Sequence, residues 1–449
     1  MPVGSDPRSR PECCPTRRWT GCWAPTRARC WVSGRGSPVC EGERVAQDSV
    51  IVVGGGPHGL LHALALARVG VDVTLLEARP PRPTNSPRAM TFHWSIMRGL
   101  DELGVLDEAL RRGLIHRTWS INVLGTGERM QIDLGVLADD IEHPFTLHLP
   151  QDELADIVTT ALLAEPRVTV AWDTRVTGLR QDADGVTVDV EADGAVREYR
   201  AAWVVGADGA TSSVRRATGL GLPGITWPER FVAVNVRHDF AAQGYDVSAV
   251  QLDARDGALV AQIDRDGLWR YTYAENLHLP EESLRERMDE MFRRVLPGGE
   301  VPEVETWAAH RMHQRVANTF RVGRVLLLAD AAHVTAPTSG YGLAGGFFDS
   351  VTLVEALAEV VLHGADHEIL DRYSEVRRKV FTGLASPVSS ESKQLLWNAD
   401  GPGRLEEEVE RFRWITSSPD RQRQYLLVGR RLESPPLRRR RATSVAGSV

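Results

Sequence analysis

The clearest hydrophobic pattern in the chain spans residues 49–77. A short, β-branched strand, Ser49 to Val53, breaks into glycines; an Ala/Leu-rich stretch follows at helical spacing, then a second strand, Val71 to Leu76, ends in Glu77. The first run lacks polar alternation, as a parallel strand covered on both faces requires. Pro57 suits a first helical turn, where its missing N–H costs nothing, and Gly70 suits a C-cap, so a helix is predicted from Pro57 to about Val69. Two later runs break in the same way. Ala202 to Val205 leads into Gly206, Asp208 and Gly209, with a helix carrying Arg215 and Arg216 expected next. Val325 to Leu328 leads into Ala329, Asp330 and a Gly/Pro/Ser-rich loop, with a helix expected from about Gly345 past Val361. Between these runs the period changes. "RFVAVNVRHDF", "GALVAQIDRDG" and "LWRYTYAE" alternate apolar with polar positions and are separated by Asp-Gly turns, which predicts antiparallel strands. Alternation places Val232, Val234 and Val236 on one face, with Asn235, Arg237 and Asp239 opposite.

Gly54, Gly56 and Gly59 satisfy G-x-G-x-x-G between a strand and a helix. The first glycine permits a tight turn, the second lets a pyrophosphate approach the backbone, and the third lets the helix press on the strand. The free amides of the first helical turn then face negative charge. Glu77, about twenty residues on, is placed to accept ribose hydroxyls, which favours FAD or NAD over NADP. His58 and His62 on the opening helix are expected to be partly exposed surface. Asp208 and Asp330 each admit a second reading as simple helix caps. Because both follow apolar strands in a chain with a glycine fingerprint, they are assigned to the same cofactor site.

Composition narrows the field further. With 449 residues, 42% hydrophobic, and a formal net charge of -7, the chain is neither disordered nor shaped for nucleic acid. It also has no apolar stretch of membrane-spanning length. A cytoplasmic location is expected, with no membrane partner. All five cysteines fall between Cys13 and Cys40 without a CxxC pair, so neither disulfides, a zinc site nor dithiol redox chemistry is expected. Residues 1–47 read as a disordered extension or a start placed too far upstream, and 433–449 as a solvated tail.

Taken together and in order, these segments resemble the aromatic-ring hydroxylase family, the single-component FAD monooxygenases built like para-hydroxybenzoate hydroxylase. The resemblance covers about Asp48 to Ser390. "GADGATSSVRR" is similar to the family's DG motif, which implies that Asp208 helps bind flavin and nicotinamide cofactor, with Arg215 following. "LADAAHVTAPTSGYGLAGGFFDS" is similar to its GD motif, which implies Asp330 on the ribityl chain and Pro337, Gly340, Gly342 and Leu343 beside the isoalloxazine ring. "SPRAMTFHWSIMRGLDELGV" and "LPQDELADIV" resemble the segments whose arginine and glutamine, here Arg88 and Gln151, approach the flavin. "LDRYSEVRRKV" resembles the closing helix. Two positions depart from the pattern: Ala329 stands where the GD motif has glycine, and Ala344 where many members carry a polar residue.

The fold implied is α/β: a Rossmann-like three-layer FAD-binding domain, an inserted antiparallel β-sheet substrate domain, and C-terminal helices. The cofactor domain would comprise 48–117, 150–226 and 322–390. The substrate cap would comprise 118–149 and 227–321, followed by helices at 391–432. The single fingerprint makes FAD the resident cofactor, with NADPH or NADH a transient reductant. The chemistry implied is hydroxylation or epoxidation of a small aromatic or polyketide-like substrate, with O2 and a flavin C4a-hydroperoxide. The protein's part is to exclude water and orient the substrate. A mobile loop is expected at Ser339 to Gly346. Arg270, Tyr271, Tyr273, His310 and His313 are candidate substrate contacts, each weighed against an ordinary core or surface role. A W-x-W-x-I-P halogenase signature is missing. A flavin dehydrogenase or oxidase, or a flavin-binding protein without turnover, remain as alternatives, and the sequence does not fix the oligomeric state, a homodimer being one possibility.

Overall fold

Strand Ser49–Val53 forms the centre of a six-stranded sheet because its four residues Val50 to Val53 are all buried, leaving no face for solvent. The order is Arg321–Val322, Val325–Leu327, Trp203–Gly206, Ser49–Val53, Asp72–Leu76, Val168–Ala171. Five strands are parallel, and only the short edge strand Arg321–Val322 runs antiparallel. The computed structural model describes residues 49–81, 89–397 and 403–437. The expectations for 1–47, including every cysteine, for Arg88 and for the tail beyond 437 therefore lie outside the described residues.

Helices Pro57–Arg68 and Gln151–Leu163 pack beside this sheet, and Tyr341–His363 packs on the first of them. A three-stranded antiparallel sheet, Arg175–Gln181, Val186–Ala192 and Ala195–Ala201, joins the same core through Val186, Val188 and Val190. This is the three-layer α/β arrangement expected of a dinucleotide-binding domain.

An eight-stranded sheet lies against it. Strands Gly224–Arg237, Ser248–Leu252, Ala258–Gln262, Leu268–Asn276 and Glu303–Val316 build it together with Thr118–Val123, Glu128–Asp133 and His333–Val334. The expected purely antiparallel sheet needs one correction, since Ser248–Leu252 pairs parallel with Thr118–Val123. Those strands come from chain segments separated by a whole domain layer, so no hairpin constrains their direction. Val232, Val234 and Val236 share a buried face as alternation required. They pack with Tyr271, Tyr273 and helix Leu284–Val295, through Met288, Met291 and Phe292. Helices Ser386–Trp397, Arg404–Thr416 and Pro419–Leu427 close the opposite side over Ile121, Val123 and Ile132. Residues 433–437, expected to belong to a solvated tail, do not: Leu437 is 1% exposed and its amide donates to Glu355. Apolar burial of one leucine and the capture of Ser434 by Arg377 hold the first part of a stretch whose two prolines, arginine run and small polar residues together point to solvent. Among the described residues no helix is long and apolar enough to cross a membrane.

Candidate cofactor and active site

The parallel register places Val53 opposite Gly206, and Gly206 opposite Leu327. The three strand ends singled out in the sequence are therefore neighbours, two strand spacings, or about 10 Å, from end to end. Gly54 follows the first, Asp208 the second and Asp330 the third. Ligands of open parallel sheets bind beyond such ends.

The glycines differ as their tasks demand. Gly54 has φ +107°, and a β-carbon there would meet the Ala207 carbonyl oxygen at 2.6 Å and the Asp208 Cα at 2.9 Å. At Gly59 a β-carbon would stand 1.9 Å from the Gly54 carbonyl oxygen. At Gly56 it would meet nothing within 4 Å. The middle glycine thus faces open space, as a position kept small for an approaching ligand should. No side chain caps this helix and its first turn contains no acid, so its leading amides are left to an anion.

Glu77 is 6% exposed. Its Oε2 accepts from the Gly55 amide, and its Oε1 from the Arg79 amide at 3.0 Å and from Arg79 Nε at 2.8 Å. Those three donors leave a carboxylate with lone-pair capacity for a ribose hydroxyl. Beyond it, Ala78, Asp173, Arg175 and Glu191 line an open cavity of about 440 Å³.

Asp208 is both a cap and more than a cap. Its Oδ2 accepts from Ser213 N (2.7 Å), Ser213 Oγ (2.8 Å) and Val214 N (3.2 Å), which starts helix Ser213–Ala217. Its Oδ1 is buried and has no partner. An orphaned carboxylate oxygen beside an open strand end fits a hydroxyl-bearing ligand. Arg215 holds this turn against the next one, donating from Nη1 to the Ala331 carbonyl at 2.9 Å and from Nη2 to that of Ala210 at 2.8 Å.

Asp330 lies exposed in a 3-10 turn, Ala329–Ala331. Pro337 opens a second such turn, Gly340 at φ +70° caps the long helix, and Gly342 and Leu343 fall in its first turn. The expected mobile loop is thereby shortened, because helix begins at Tyr341 and not near Gly345. Thr338 Oγ1 donates to the Ser389 carbonyl at 3.0 Å and Ser339 Oγ lies 2.6 Å from Ser389 Oγ, anchoring what remains. Gln151 is the first residue of its helix and half-buried. Pro57, His58, Leu61, Leu154, Leu343 and Phe347 line one narrow apolar crevice, which brings the fingerprint helix, the helix of Gln151 and the Leu343 turn together.

Of the two opening-helix histidines expected to be partly exposed, His58 is so and His62 is not. His58 is half-buried and its Nε2 lies 2.9 Å from the Leu343 carbonyl oxygen, so it ties the fingerprint helix to the Leu343 turn. His62 is fully buried, its Nδ1 3.0 Å from Ser350 Oγ, and burial drives its pKa down to about 3. Both face helix Tyr341–His363, a neighbour no local pattern could name.

Among the cap candidates, Tyr271 and Tyr273 belong to the core beneath helix Leu284–Val295. Arg270 points to the other face, where Nε donates to Asn235 Oδ1 at 2.9 Å. Burial pulls its pKa down to about 10, against the pull of Asp152. His310 packs on Phe231 on that same face, and His313 Nδ1 sits 2.9 Å from Thr226 Oγ1. His116 and His148, not singled out in the sequence, are buried with rings 4.4 Å apart and Nε2 atoms lacking partners.

The profile of the family described as FAD binding domain matches residues 47–386. The chain belongs to this family. It is 40% identical, over 86% of its length and 99% of the relative's, to 6-hydroxy-3-succinoylpyridine 3-monooxygenase of Pseudomonas putida. It is 39% identical, over 81% of its length and 90% of the relative's, to para-nitrophenol 4-monooxygenase of a Pseudomonas strain. The crystal structure of p-nitrophenol 4-monooxygenase from Pseudomonas putida DLL-E4 superposes with TM-score 0.82 at 38% identity, covering 86% of this chain and 98% of that one. The protein is thus an FAD-dependent monooxygenase of the aromatic hydroxylase family, and the open face of Gly56, the uncapped amides and the orphaned Asp208 oxygen fit the cofactor.

Proposed function

We propose that this FAD monooxygenase hydroxylates a small, electron-rich aromatic ring that carries a hydroxyl group, of the nitrophenol or hydroxypyridine kind, using NADPH or NADH and O2. The single observation behind the placement of the cofactor is the alignment of Val53, Gly206 and Leu327, which sets the three candidate segments side by side. Similarity over nearly the full length of two relatives named for such substrates supports the ring class.

In this reading the amides after Gly56 hold the pyrophosphate and Glu77 the adenosine ribose. Asp208 and Asp330 take hydroxyls toward the flavin end, with Gln151 and the Pro337–Leu343 segment beside the ring. Arg88 completes the set. Bound FAD, once reduced, supplies the electrons and the oxygen activation. The chain's own task is orientation and exclusion of water. The sheet face bearing Asn235, Arg270 and Thr272 serves as the roof. It is fastened at one end by His148 Nδ1 to the Gln262 carbonyl (2.9 Å), and at the other by Thr335 Oγ1 donating to Gln314 Oε1 (2.8 Å). The division proposed is a cofactor domain of 48–117, 150–226 and 322–390 and a substrate cap of 118–149 and 227–321. We place the protein in the cytoplasm, as a monomer or homodimer with no nucleic acid or membrane partner, a reading supported by its net charge of -7.

The test is a screen of para-nitrophenol, 6-hydroxypyridines and simple phenols against the purified holoprotein. NAD(P)H consumption that yields stoichiometric hydroxylated product supports the proposal. Consumption that yields hydrogen peroxide alone with every ring supports oxidase chemistry instead.

A further inference from the structure

A fully buried carboxylate stands behind the turn that presents Asp330, outside every position assigned to the cofactor. Asp349 lies on helix Tyr341–His363 at 0% exposure. Its Oδ2 accepts from the Ala329 amide (3.1 Å) and from His333 Nε2 (2.7 Å), and its Oδ1 from Arg377 Nε (2.7 Å). Arg377, 1% exposed, directs its other N–H groups to the carbonyls of Gly345 (3.0 Å) and Leu432 (2.7 Å) and to Ser434 Oγ (2.8 Å). One carboxylate and one guanidinium thus join the Asp330 turn, the start of the long helix and the C-terminal segment. That last segment lies beyond the family match, which ends at residue 386.

What the carboxylate holds is unusual. Ala329 has φ +51°, and the other described non-glycine residues with positive φ are Asp173 and Asp193. Aspartate tolerates the left-handed region through local hydrogen bonds, whereas alanine has no such help. The Ala329 amide, which fixes that conformation, is the one bonded to Asp349. Burial opposes ionisation of Asp349, but His333 and Arg377 outweigh it and hold the carboxyl below the usual carboxylate range.

We infer that Asp349, oriented by Arg377 and the C-terminal residues Leu432 and Ser434, is a positioning residue for the cofactor: it holds the strained Ala329 turn and thereby the place of Asp330. The inference rests on the proposed contact between Asp330 and FAD. Glycine at 329 adopts the turn without strain, so the need for Asp349 should fall when Ala329 is replaced by glycine.

The experiment titrates FAD into the FAD-stripped full-length protein by quenching of flavin fluorescence, and follows thermal unfolding of the stripped form. Asp349→Asn is expected to weaken FAD binding by about tenfold, and Ser434→Ala, which removes one contact to Arg377, by about threefold. Adding Ala329→Gly to either variant should restore affinity to within about twofold of Ala329→Gly alone, the coupling expected of groups in direct contact. A purely structural role would lower the unfolding temperature of the stripped protein yet leave FAD affinity unchanged, and that result overturns the inference. So does a loss of affinity that Ala329→Gly does not relieve. Should Asp349→Asn fail to fold, the Ser434→Ala pair decides by the same criteria. A wild-type protein that takes up no FAD overturns the cofactor reading itself, and the inference with it.

Discussion

Gly346 lies directly against Ala329: a β-carbon at 346 would stand 2.7 Å from the Ala329 methyl and 2.7 Å from His58 Nε2. Carbon atoms in contact prefer about 3.5–4.0 Å. The long helix can therefore pass behind the Ala329–Ala331 turn only because position 346 has no side chain. Gly346→Ala would gain about 1 kcal/mol of helix propensity. It would lose more, on the order of 1–3 kcal/mol, to overlap with a buried methyl that cannot move and an imidazole already bonded to the Leu343 carbonyl. We expect the FAD-free variant to unfold a few degrees below wild type in a thermal melt, and equal or higher stability would contradict this packing.

Ala329→Gly should act in the opposite direction. The left-handed conformation costs alanine about 1–2 kcal/mol, while glycine adds about 0.4–1 kcal/mol of unfolded-state entropy. The first effect is larger, so urea unfolding of the FAD-free variant should show a small net stabilisation. The same change removes one of the two side chains that obstruct position 346. Ala329→Gly and Gly346→Ala together should consequently destabilise less than the sum of the separate effects.

Asp208 separates its two duties by atom. Asparagine retains an oxygen for the amides of Ser213 and Val214, so Asp208→Asn should leave unfolding of the FAD-free protein within about 1 kcal/mol of wild type. It loses the negative charge on the side where Oδ1 has no partner. FAD affinity measured by fluorescence quenching is expected to drop by about tenfold. Asp208→Ala, which removes both oxygens, should lower affinity and stability together. An Asp208→Asn variant with unaltered affinity would reduce Asp208 to a helix cap.

Much of the cofactor domain could be read directly because its signals are local. Val50 to Val53 are buried on both faces and read as one apolar run, and Pro57 in the first turn and Gly70 just past the last mark the ends of the helix between them. What escaped depends on partners distant in the chain. His62 looked like surface because its neighbour Ser350 is 288 residues away. Two glycines and an alanine suggest a loop and an expected helix start near Gly345, whereas the helix begins at Tyr341, with Ala344, Gly345 and Gly346 buried and Gly346 set against Ala329 and His58. Tyr271 and Tyr273 alternate with Arg270 and Thr272 in plain view, but which face is buried as core is decided by helix Leu284–Val295, from later in the chain. Ser434 and Leu437 flank the two prolines Pro435 and Pro436 and are captured by Arg377 and Glu355, which no local window of sequence contains.

Buried imidazoles should set the acid limit of the fold. Burial lowers the pKa of His62 to about 3, that of His116 to about 4 and that of His148 to about 3, the last with help from neighbouring His116. In each case the folded value lies below the unfolded value near 6.5, so as pH falls the unfolded chain takes up protons that the folded chain refuses. Stability from these sites is thus fully present above about pH 6.5 and is lost as pH drops toward the folded values. For fully buried His62 alone the displacement corresponds to a loss on the order of a few kcal/mol. Denaturant unfolding should be nearly flat from pH 7 to 8 and fall steadily from pH 6.5 to 4. His62→Gln, which cannot take up a proton but can still bond Ser350, should show a shallower fall across that interval. An identical slope in wild type and His62→Gln would mean that His62 is already charged inside the fold, and that the acid limit is set elsewhere.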